Sequence, residues 1–129
     1  MKIHGIGNDL INVNRIEKVI KKNKNFLKKI FTKNEIKYCN NKINKYYCFA
    51  KRFSAKESFS KALGTGISSG LKFNEIEIIN NNKGKPSIRI LGKSKQIVQK
   101  ILHTKQLEIF VSISDDKPYA SSIVLLATK

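Results

Sequence analysis

The spacing of apolar residues predicts a strand and then a helix at the start of the chain. The strand extends from Lys2 to Ile11 and is interrupted by two glycines. Asn14, with Glu17 three residues later, resembles a capping box and gives the expected start of the helix. Residues then recur every three or four positions, as on one helix face, in the series Ile16, Val19, Ile20, Asn23, Leu27, Ile30 and Phe31.

A longer helical stretch occupies the middle of the chain. Thr32 with Glu35 forms a second capping box, which predicts the start of the next helix. The helical pattern continues to Leu63, and Gly64 has the position of a C-cap in the left-handed conformation, which glycine adopts without steric cost. We therefore expect a long helix that ends at Leu63.

Alternation of apolar and polar residues predicts strands in the second half of the chain. The segments with this pattern are Phe73 to Ile79, Ser87 to Leu91, Leu107 to Ile113 and Tyr119 to Leu126. Residues 80–86 and 115–118 have turn composition, and residues 94–102 have the spacing of a short helix. The patterns together predict an α+β fold, in which a mainly antiparallel sheet packs with a long helix and shorter helices.

The size and composition are those of a small globular protein. The 129 residues are enough for one domain, and we expect a single domain over residues 1–129. Hydrophobic residues make up 40% and charged residues 27%, which argues against intrinsic disorder. No apolar run approaches the roughly 18 residues of a membrane span. The N-terminus also lacks the apolar core of a signal peptide, so the expected location is the cytoplasm. Cys39 and Cys48 have no further His or Cys at metal-binding spacing, and we expect both thiols to be reduced.

The net charge of +17 arises because 26 Lys and Arg residues oppose 9 Asp and Glu. Such a charge is typical of proteins that bind nucleic acid or an anionic membrane. Nearly all the cations are Lys, however, with 23 Lys and 3 Arg. The codons for Lys are AT-rich, so a coding bias toward AT would by itself raise the number of Lys residues. A nucleic-acid surface would use more Arg, which contacts bases and phosphates through two hydrogen bonds at once. A solvated basic surface and a surface for an anionic partner both stay open on this evidence.

The segment from Phe49 to Leu63 combines an apolar helix face with charges. On a helical wheel of ~100° per residue, Arg52 and Lys56 fall inside the apolar arc. Glu57 and Lys61 lie just beyond its edge. One interpretation is that the two cations extend along apolar surface to water, while the other two residues form a surface pair. The other is an anion site, most naturally for a phosphate with its metal, because charges rarely enter a core unpaired.

Nearby glycines and an aspartate fit the second interpretation. Gly64, Thr65 and Gly66 follow the helix, and backbone N–H groups at glycines are able to approach a phosphate closely. A helix-ending loop is the more common meaning of such a segment. Asp9 comes late in the first strand, where a lone aspartate is usually a turn or cap residue. If that strand lies beside Glu57, the two carboxylates together with phosphate oxygens and waters make a typical Mg²⁺ site.

The remaining candidates have simpler explanations. His4 and His103 lack partners in the sequence, and we expect both to be structural. Lys83–Pro86 is most simply a hairpin turn, and the second interpretation is that its lysines reach an anion. Ser114–Asp116 has turn chemistry.

In their order along the chain, these segments resemble the holo-[acyl-carrier-protein] synthase family, the small bacterial 4'-phosphopantetheinyl transferases. The most specific match is the central block from Arg52 to Gly66, with the sequence RFSAKESFSKALGTG. Shorter flanking matches occur at residues 5–10, 15–16, 31–35, 74–78, 84–86, 111–114 and 119–120. The resemblance covers nearly the whole chain and agrees with the length of the family.

The resemblance implies a reaction and the residues that perform it. The family transfers 4'-phosphopantetheine from coenzyme A to a serine of apo acyl carrier protein and releases 3',5'-ADP, a step in fatty acid biosynthesis. In this chain, Asp9 and Glu57 would hold Mg²⁺ at the coenzyme A pyrophosphate, and Lys61 would assist at the transferred phosphate. The implied contacts to the rest of coenzyme A are Arg52, Lys56, Gly64, Thr65 and Gly66.

The resemblance also implies partners. Arg15 on the first helix would meet acidic residues of the carrier protein, and Lys18 and Lys22 extend the same cationic surface. The family assembles as a trimer with active sites at subunit interfaces. The basic surface would then serve a protein partner, and we expect neither nucleic acid nor a membrane as a partner.

One position departs from the family's pattern. Asp115 stands where the family usually has a His that contributes to the coenzyme A site. An acid beside the 3'-phosphate would repel it unless the side chain turns away, stays protonated or is compensated by neighbours such as Lys83, Lys85 or Lys117. Two alternatives to the enzyme stay open, the first resting on the net charge alone and the second on Asp115. They are a basic nucleic-acid-binding domain, and a carrier-protein-binding relative whose catalysis is weakened by Asp115.

Overall fold

The computed structural model describes residues 1–64 and 69–129, and it has the predicted α+β class. Its elements in chain order are β1 (Lys2–Asn12), α1 (Val13–Lys22), α2 (Phe26–Ile30), α3 (Lys33–Asn40), α4 (Lys45–Leu63), a 3₁₀ turn (Phe73–Glu75), β2 (Ile76–Asn80), β3 (Pro86–Ile90), α5 (Gly92–Leu102), β4 (Leu107–Asp116) and β5 (Tyr119–Thr128). Within the described ranges, no helix is both long enough and apolar enough to cross a membrane.

The strands pair antiparallel, as predicted. β5 lies between β1 and β4 in a three-stranded sheet, and β2 and β3 form a separate hairpin. Side chains alternate along β5, so that Val124 and Leu126 are buried while Ile123 is exposed. The sheet therefore has a core side and an outer apolar face, which consists of Ile6, Leu10, Phe110, Tyr119 and Ile123.

Helix α4 packs on the core side of this sheet, against β1 and β5. One core cluster joins Phe59 of α4 to Val124 and Leu126 of β5. A second cluster joins Phe49 of α4 to Phe31 and surrounds them with residues of α1 and α3. Because α4 contributes to both clusters, it fixes the position of the sheet relative to the shorter helices.

Strand β1 approaches α4 most closely at its two glycines. A Cβ atom on Gly5 would overlap the carbonyl oxygen of Ala62, and one on Gly7 would overlap that of Ser58. The strand backbone thus lies directly on the helix backbone, which requires residues without side chains. Asp9, two residues further along β1, is held beside α4 as a result.

Two predicted features of the first helix are wrong. Helix α1 begins at Val13 because the side chain of Asn12 caps it by accepting the N–H of Asn14. The helix predicted to continue to residue 31 is divided into α1 and α2. It breaks because the backbone of Asn23 is extended and its side chain accepts the N–H of Asn25.

Other predicted boundaries are confirmed or shifted slightly. The capping box of Thr32 and Glu35 is confirmed, as is the end of α4, where Gly64 has a φ of 92°. The strand predicted from residue 73 begins only at residue 76, because residues 73–75 form the 3₁₀ turn. The carboxylate of Glu75 accepts a hydrogen bond from the hydroxyl of Ser94 at the start of α5. β4 continues through Asp116, which leaves residues 117 and 118 as the turn.

The two cysteines are joined. Cys39 of α3 and Cys48 of α4 form a disulfide, with their Cα atoms 5.4 Å apart. The expectation of two reduced thiols is therefore wrong for this structure. The sequence did not indicate the bond, because it depends on how the short connection between α3 and α4 turns back.

Candidate active site

Asp9, Glu57 and Lys61 lie together where β1 meets α4. Lys61 follows Glu57 by one helical turn, and its Nζ atom is 3.4 Å from Asp9 Oδ1. The same ammonium group donates a hydrogen bond of 3.0 Å to the carbonyl oxygen of Asn8. The first strand therefore does lie beside the helix that carries Glu57, which was the condition for a two-carboxylate site.

The carboxylate of Asp9 has unused hydrogen-bonding capacity. Its side chain is 13% exposed, and the Oδ2 atom is buried without a hydrogen-bond partner among the described residues. A buried carboxylate oxygen without a partner is costly, because it has lost its hydration. The arrangement leaves an oxygen that a cation is able to use.

Glu57 shows the effect of the second charge. Partial burial raises the pKa of Glu57, the negative charge of Asp9 raises it further, and Lys61 partly opposes the rise. Carboxylates that repel each other are stabilised by a shared divalent cation, and Mg²⁺ commonly takes one or two protein carboxylates and keeps waters. Asp9 and Glu57 therefore fit Mg²⁺. In the described part of the chain there is no cluster of three or more His, Cys, Asp or Glu residues that could hold a metal.

Arg52 lies elsewhere on α4, where it lines a cleft, and is only 5% exposed. Its Nη2 atom donates to Asn80 Oδ1 at 2.7 Å, and its guanidinium lies 4.3 Å from the ring centroid of Tyr38. Its Nε atom is 4.0 Å from a carboxylate oxygen of Glu35 and makes no hydrogen bond within the described structure. Burial lowers the pKa of Arg52, and the charge of Glu35 opposes this.

Lys56 is in the core. Its side chain is fully buried, and its ammonium donates to Glu35 Oε1 at 2.8 Å, to the Phe73 carbonyl at 2.8 Å and to the Ile76 carbonyl. Burial lowers its pKa to about 8, although Glu35 acts in the opposite direction. All three N–H donors of the ammonium have partners. The structure does not bring Lys56 to Asp9 and Glu57, and its contacts give no support to the predicted phosphate contact.

The cleft at Arg52 has a volume of about 610 Å³ and is open to solvent. It is lined by Tyr38, Asn41, Lys42, Ile43, Asn44, Tyr47, Cys48, Lys51, Arg52, Asn80, Gly84, Pro86, Ile113 and Asp115. Asp115 forms an ion pair of 3.3 Å with Lys51, and both side chains are partly exposed. The acid that departs from the family's pattern is thus partly neutralised, by Lys51 rather than by Lys83, Lys85 or Lys117.

The other predicted residues are spread over the surface. Gly64 is exposed at the end of α4, and the predicted contacts Thr65 and Gly66 lie outside the described residues. Arg15, Lys18 and Lys22 are exposed on α1, as a surface for an acidic partner requires. These three cations occupy positions i, i+3 and i+7 of one helix, so they share a face.

The two histidines have structural surroundings, as expected. His4 lies 3.1 Å from the hydroxyl of Thr128 in the neighbouring strand, and His103 closes α5 in the left-handed conformation. The lysines of the β2–β3 turn contribute backbone rather than side-chain contacts, because the N–H groups of Lys83 and Lys85 both bond Asn81.

The sequence reasoning missed the carboxylate that neutralises the buried cations. Glu35 was recognised only as a capping residue, yet it also accepts hydrogen bonds from Lys56 and from the backbone N–H of Ile78. A lysine inside an apolar arc was the available signal, since such a group requires a carboxylate from another element. Asn80, the partner of Arg52, gave no signal, because it lies in a segment whose composition predicts only a turn.

The chain is similar to known proteins over nearly its whole length. Residues 5–124 match the family model of the 4'-phosphopantetheinyl transferase superfamily. The chain is 44% identical over 129 residues to a holo-[acyl-carrier-protein] synthase of Pelagibacter ubique, with all of both chains covered. It is 49% identical over 128 residues to that of Buchnera aphidicola, with 98% of each chain covered. Among solved structures, a holo-(acyl-carrier-protein) synthase from Bacillus anthracis in complex with CoA (3',5'-ADP) is 34% identical, covers 100% of both chains and has a TM-score of 0.80.

The antiparallel α+β fold, the paired carboxylates and these similarities define the class: the chain belongs to the 4'-phosphopantetheinyl transferase superfamily. The relatives named above are all holo-[acyl-carrier-protein] synthases, so the resemblance carried by the sequence motifs is confirmed.

Proposed function

We propose that this chain transfers 4'-phosphopantetheine from coenzyme A to a serine of apo acyl carrier protein, giving holo carrier protein and 3',5'-ADP. The observation that carries the proposal is the pair of carboxylates, Asp9 and Glu57, beside Lys61 in a member of this family. The family assignment favours an enzyme over a nucleic-acid-binding domain. The net charge was the only evidence for the nucleic-acid-binding alternative.

The residues present suit phosphoryl transfer, which depends mainly on positioning and charge stabilisation. Asp9 and Glu57 would hold Mg²⁺, which neutralises a pyrophosphate and orients it for displacement. Lys61 is half exposed beside Asp9, so its ammonium is able to reach the transferred phosphate. The serine oxygen bonds to the β-phosphorus as the bond to 3',5'-ADP breaks, and an acidic side chain or a water accepts the hydroxyl proton.

We assign the nucleotide half of coenzyme A to the cleft at Arg52. Arg52 lines this open cleft, and a guanidinium is suited to a phosphate because it presents several N–H donors in a planar fork. Gly64, Thr65 and Gly66 remain the proposed border of the nucleotide. Lys56 has a structural role in this proposal, because Glu35 and two carbonyl groups already use its hydrogen bonds.

The partners follow from two surfaces. The cations Arg15, Lys18 and Lys22 on α1 would meet an acidic carrier protein. The outer apolar face of the sheet would be covered in a homotrimer, because apolar patches of this kind usually mark an interface. A cytoplasmic location and a role in fatty acid biosynthesis fit these partners.

The test is the intact mass of apo acyl carrier protein after incubation with the chain, coenzyme A and Mg²⁺. We expect a gain of one phosphopantetheine, prevented by EDTA. Asp9→Asn and Glu57→Gln should abolish the gain, whereas Asp116→Asn, an exposed acid outside the site, should leave it intact. No gain with folded protein and several carrier proteins would contradict the proposal.

The weakened-relative alternative has a separate measurement. If Asp115 impairs coenzyme A binding, Asp115→His should raise the rate at subsaturating coenzyme A. Because Lys51 already pairs with Asp115, we expect no substantial rise. Affinity for DNA with a steep salt dependence, unaffected by Asp9→Asn, would instead favour a nucleic-acid-binding domain.

A further inference from the structure

Arg52 needs an external group to hold its orientation in the cleft. It is buried at 5% exposure, and its shortest polar contact is the 2.7 Å hydrogen bond from Nη2 to Asn80 Oδ1. Its contact with Cys48 Sγ is a weak 3.8 Å hydrogen bond, and Glu35 lies 4.0 Å away. The amide of Asn80 is therefore the closest acceptor for this guanidinium in the described structure.

Asn80 also contacts the turn that lines the cleft. Its Nδ2 atom donates a 3.0 Å hydrogen bond to the carbonyl oxygen of Gly84, in the turn between β2 and β3. Gly84 and Arg52 both line the cleft, so a single side chain connects a cation on α4 to the backbone of the turn. An amide is suited to this task because it accepts on one side and donates on the other without adding charge.

We propose that Asn80 is a positioning residue, which fixes the Arg52 guanidinium and the β2–β3 turn in the arrangement that receives an anionic group of coenzyme A. This inference rests on the proposed function, but it concerns a residue outside the set that the sequence motifs indicated. Asn80 acts through Arg52. An aspartate at this position would keep the acceptor and would neutralise the cation that the phosphate needs.

A matched control separates positioning from turn stability. Asn81 holds the same turn by accepting the N–H groups of Lys83 and Lys85, but it does not contact Arg52. Asn80→Ala removes both hydrogen bonds of Asn80, whereas Asn81→Ala disturbs only the turn. Asn80→Asp keeps an acceptor for Arg52, so it serves as a second variant if Asn80→Ala does not fold.

The experiment measures the KM for coenzyme A, the KM for carrier protein and kcat, together with the Kd for coenzyme A by calorimetry in EDTA. We expect Asn80→Ala to raise the KM and the Kd for coenzyme A about tenfold, the value of one hydrogen bond to a charged group. Asn80→Asp should raise both at least as much. Asn81→Ala should change them less than about threefold, and the carrier-protein KM should stay constant in every variant.

The outcomes separate the two proposals. Equal effects of Asn80→Ala and Asn81→Ala, or unchanged coenzyme A affinity in Asn80→Ala, would overturn the positioning role while wild-type transfer stands. Unchanged affinity in Asn80→Asp would overturn the argument that this position requires an uncharged amide. A wild-type chain that neither binds coenzyme A nor modifies carrier protein would instead overturn the proposed function, and the positioning role with it.

Discussion

Replacement of Lys56 by methionine tests how the core of this fold is held together. The variant puts an apolar side chain of similar length in place of a fully buried ammonium. It removes the hydrogen bonds to Glu35, to the Phe73 carbonyl and to the Ile76 carbonyl. The carboxylate of Glu35 would then remain buried without its cation at 2.8 Å.

The expected cost follows from these contacts. Removing one partner of a buried ion pair destabilises a protein by about 3–5 kcal/mol. Glu35 keeps the backbone N–H groups of Thr32 and Ile78, so we expect the lower end, about 3 kcal/mol. Since a domain has a total stability of about 5–15 kcal/mol, the variant should fold with a Tm lower by roughly 10 °C.

Urea denaturation at pH 7, followed by circular dichroism, measures the difference. Lys51→Met is the matched control, because Lys51 is on the same helix and its pair with Asp115 is partly exposed. The control should lose no more than about 1 kcal/mol. If Lys56→Met also lost less than this at an unchanged m-value, the buried pair would not stabilise the fold as argued.

Three further measurements test other parts of the structure. The pKa of Lys56 is lowered from 10.5 to about 8, so between these values the unfolded chain binds more protons and Lys56 adds stability as the pH rises. The difference in free energy of unfolding between wild type and Lys56→Met should therefore widen from pH 8 to 10, and a constant difference would contradict this. Reduction of the Cys39–Cys48 bond, with a sequence separation of 9, should lower the free energy of unfolding by about 2–3 kcal/mol, the entropy of so short a loop. The variant with both cysteines changed to serine should match the reduced protein, and a failure of dithiothreitol to change the wild type would count against the bond. Arg15→Glu should raise the KM for carrier protein several-fold, more at low salt, and leave the KM for coenzyme A unchanged. Lys100→Glu on α5 is its control, and an equal effect there would mean that only net charge matters.

The sequence predicted those parts of the fold that depend on neighbouring residues. The capping box of Thr32 and Glu35 and the left-handed Gly64 involve contacts within about one helical turn, and both are confirmed. The break at Asn23 was missed, because the apolar spacing continues across it and the local hydrogen bond that ends α1 leaves no mark on that spacing.

The site was predictable only in part, for a related reason. The helical wheel showed that Arg52 and Lys56 point toward apolar surroundings, but a wheel contains no information about the elements that pack against it. The acceptors of Lys56 come from α3, the 3₁₀ turn and β2, and the acceptor of Arg52 comes from the end of β2. The proximity of Asp9 to α4 likewise depended on the packing of β1, which two glycines control.

Those glycines determine how a library of variants would be interpreted. Gly7 has no functional group, yet any larger side chain there would push β1 away from the carbonyl of Ser58 and carry Asp9 away from Lys61. In a screen scored by product formation, substitutions at Gly7 would be grouped with those at Asp9, as though both removed a chemical group. The position of the Asp9 carboxylate relative to Glu57 thus depends partly on the absence of a side chain at Gly7.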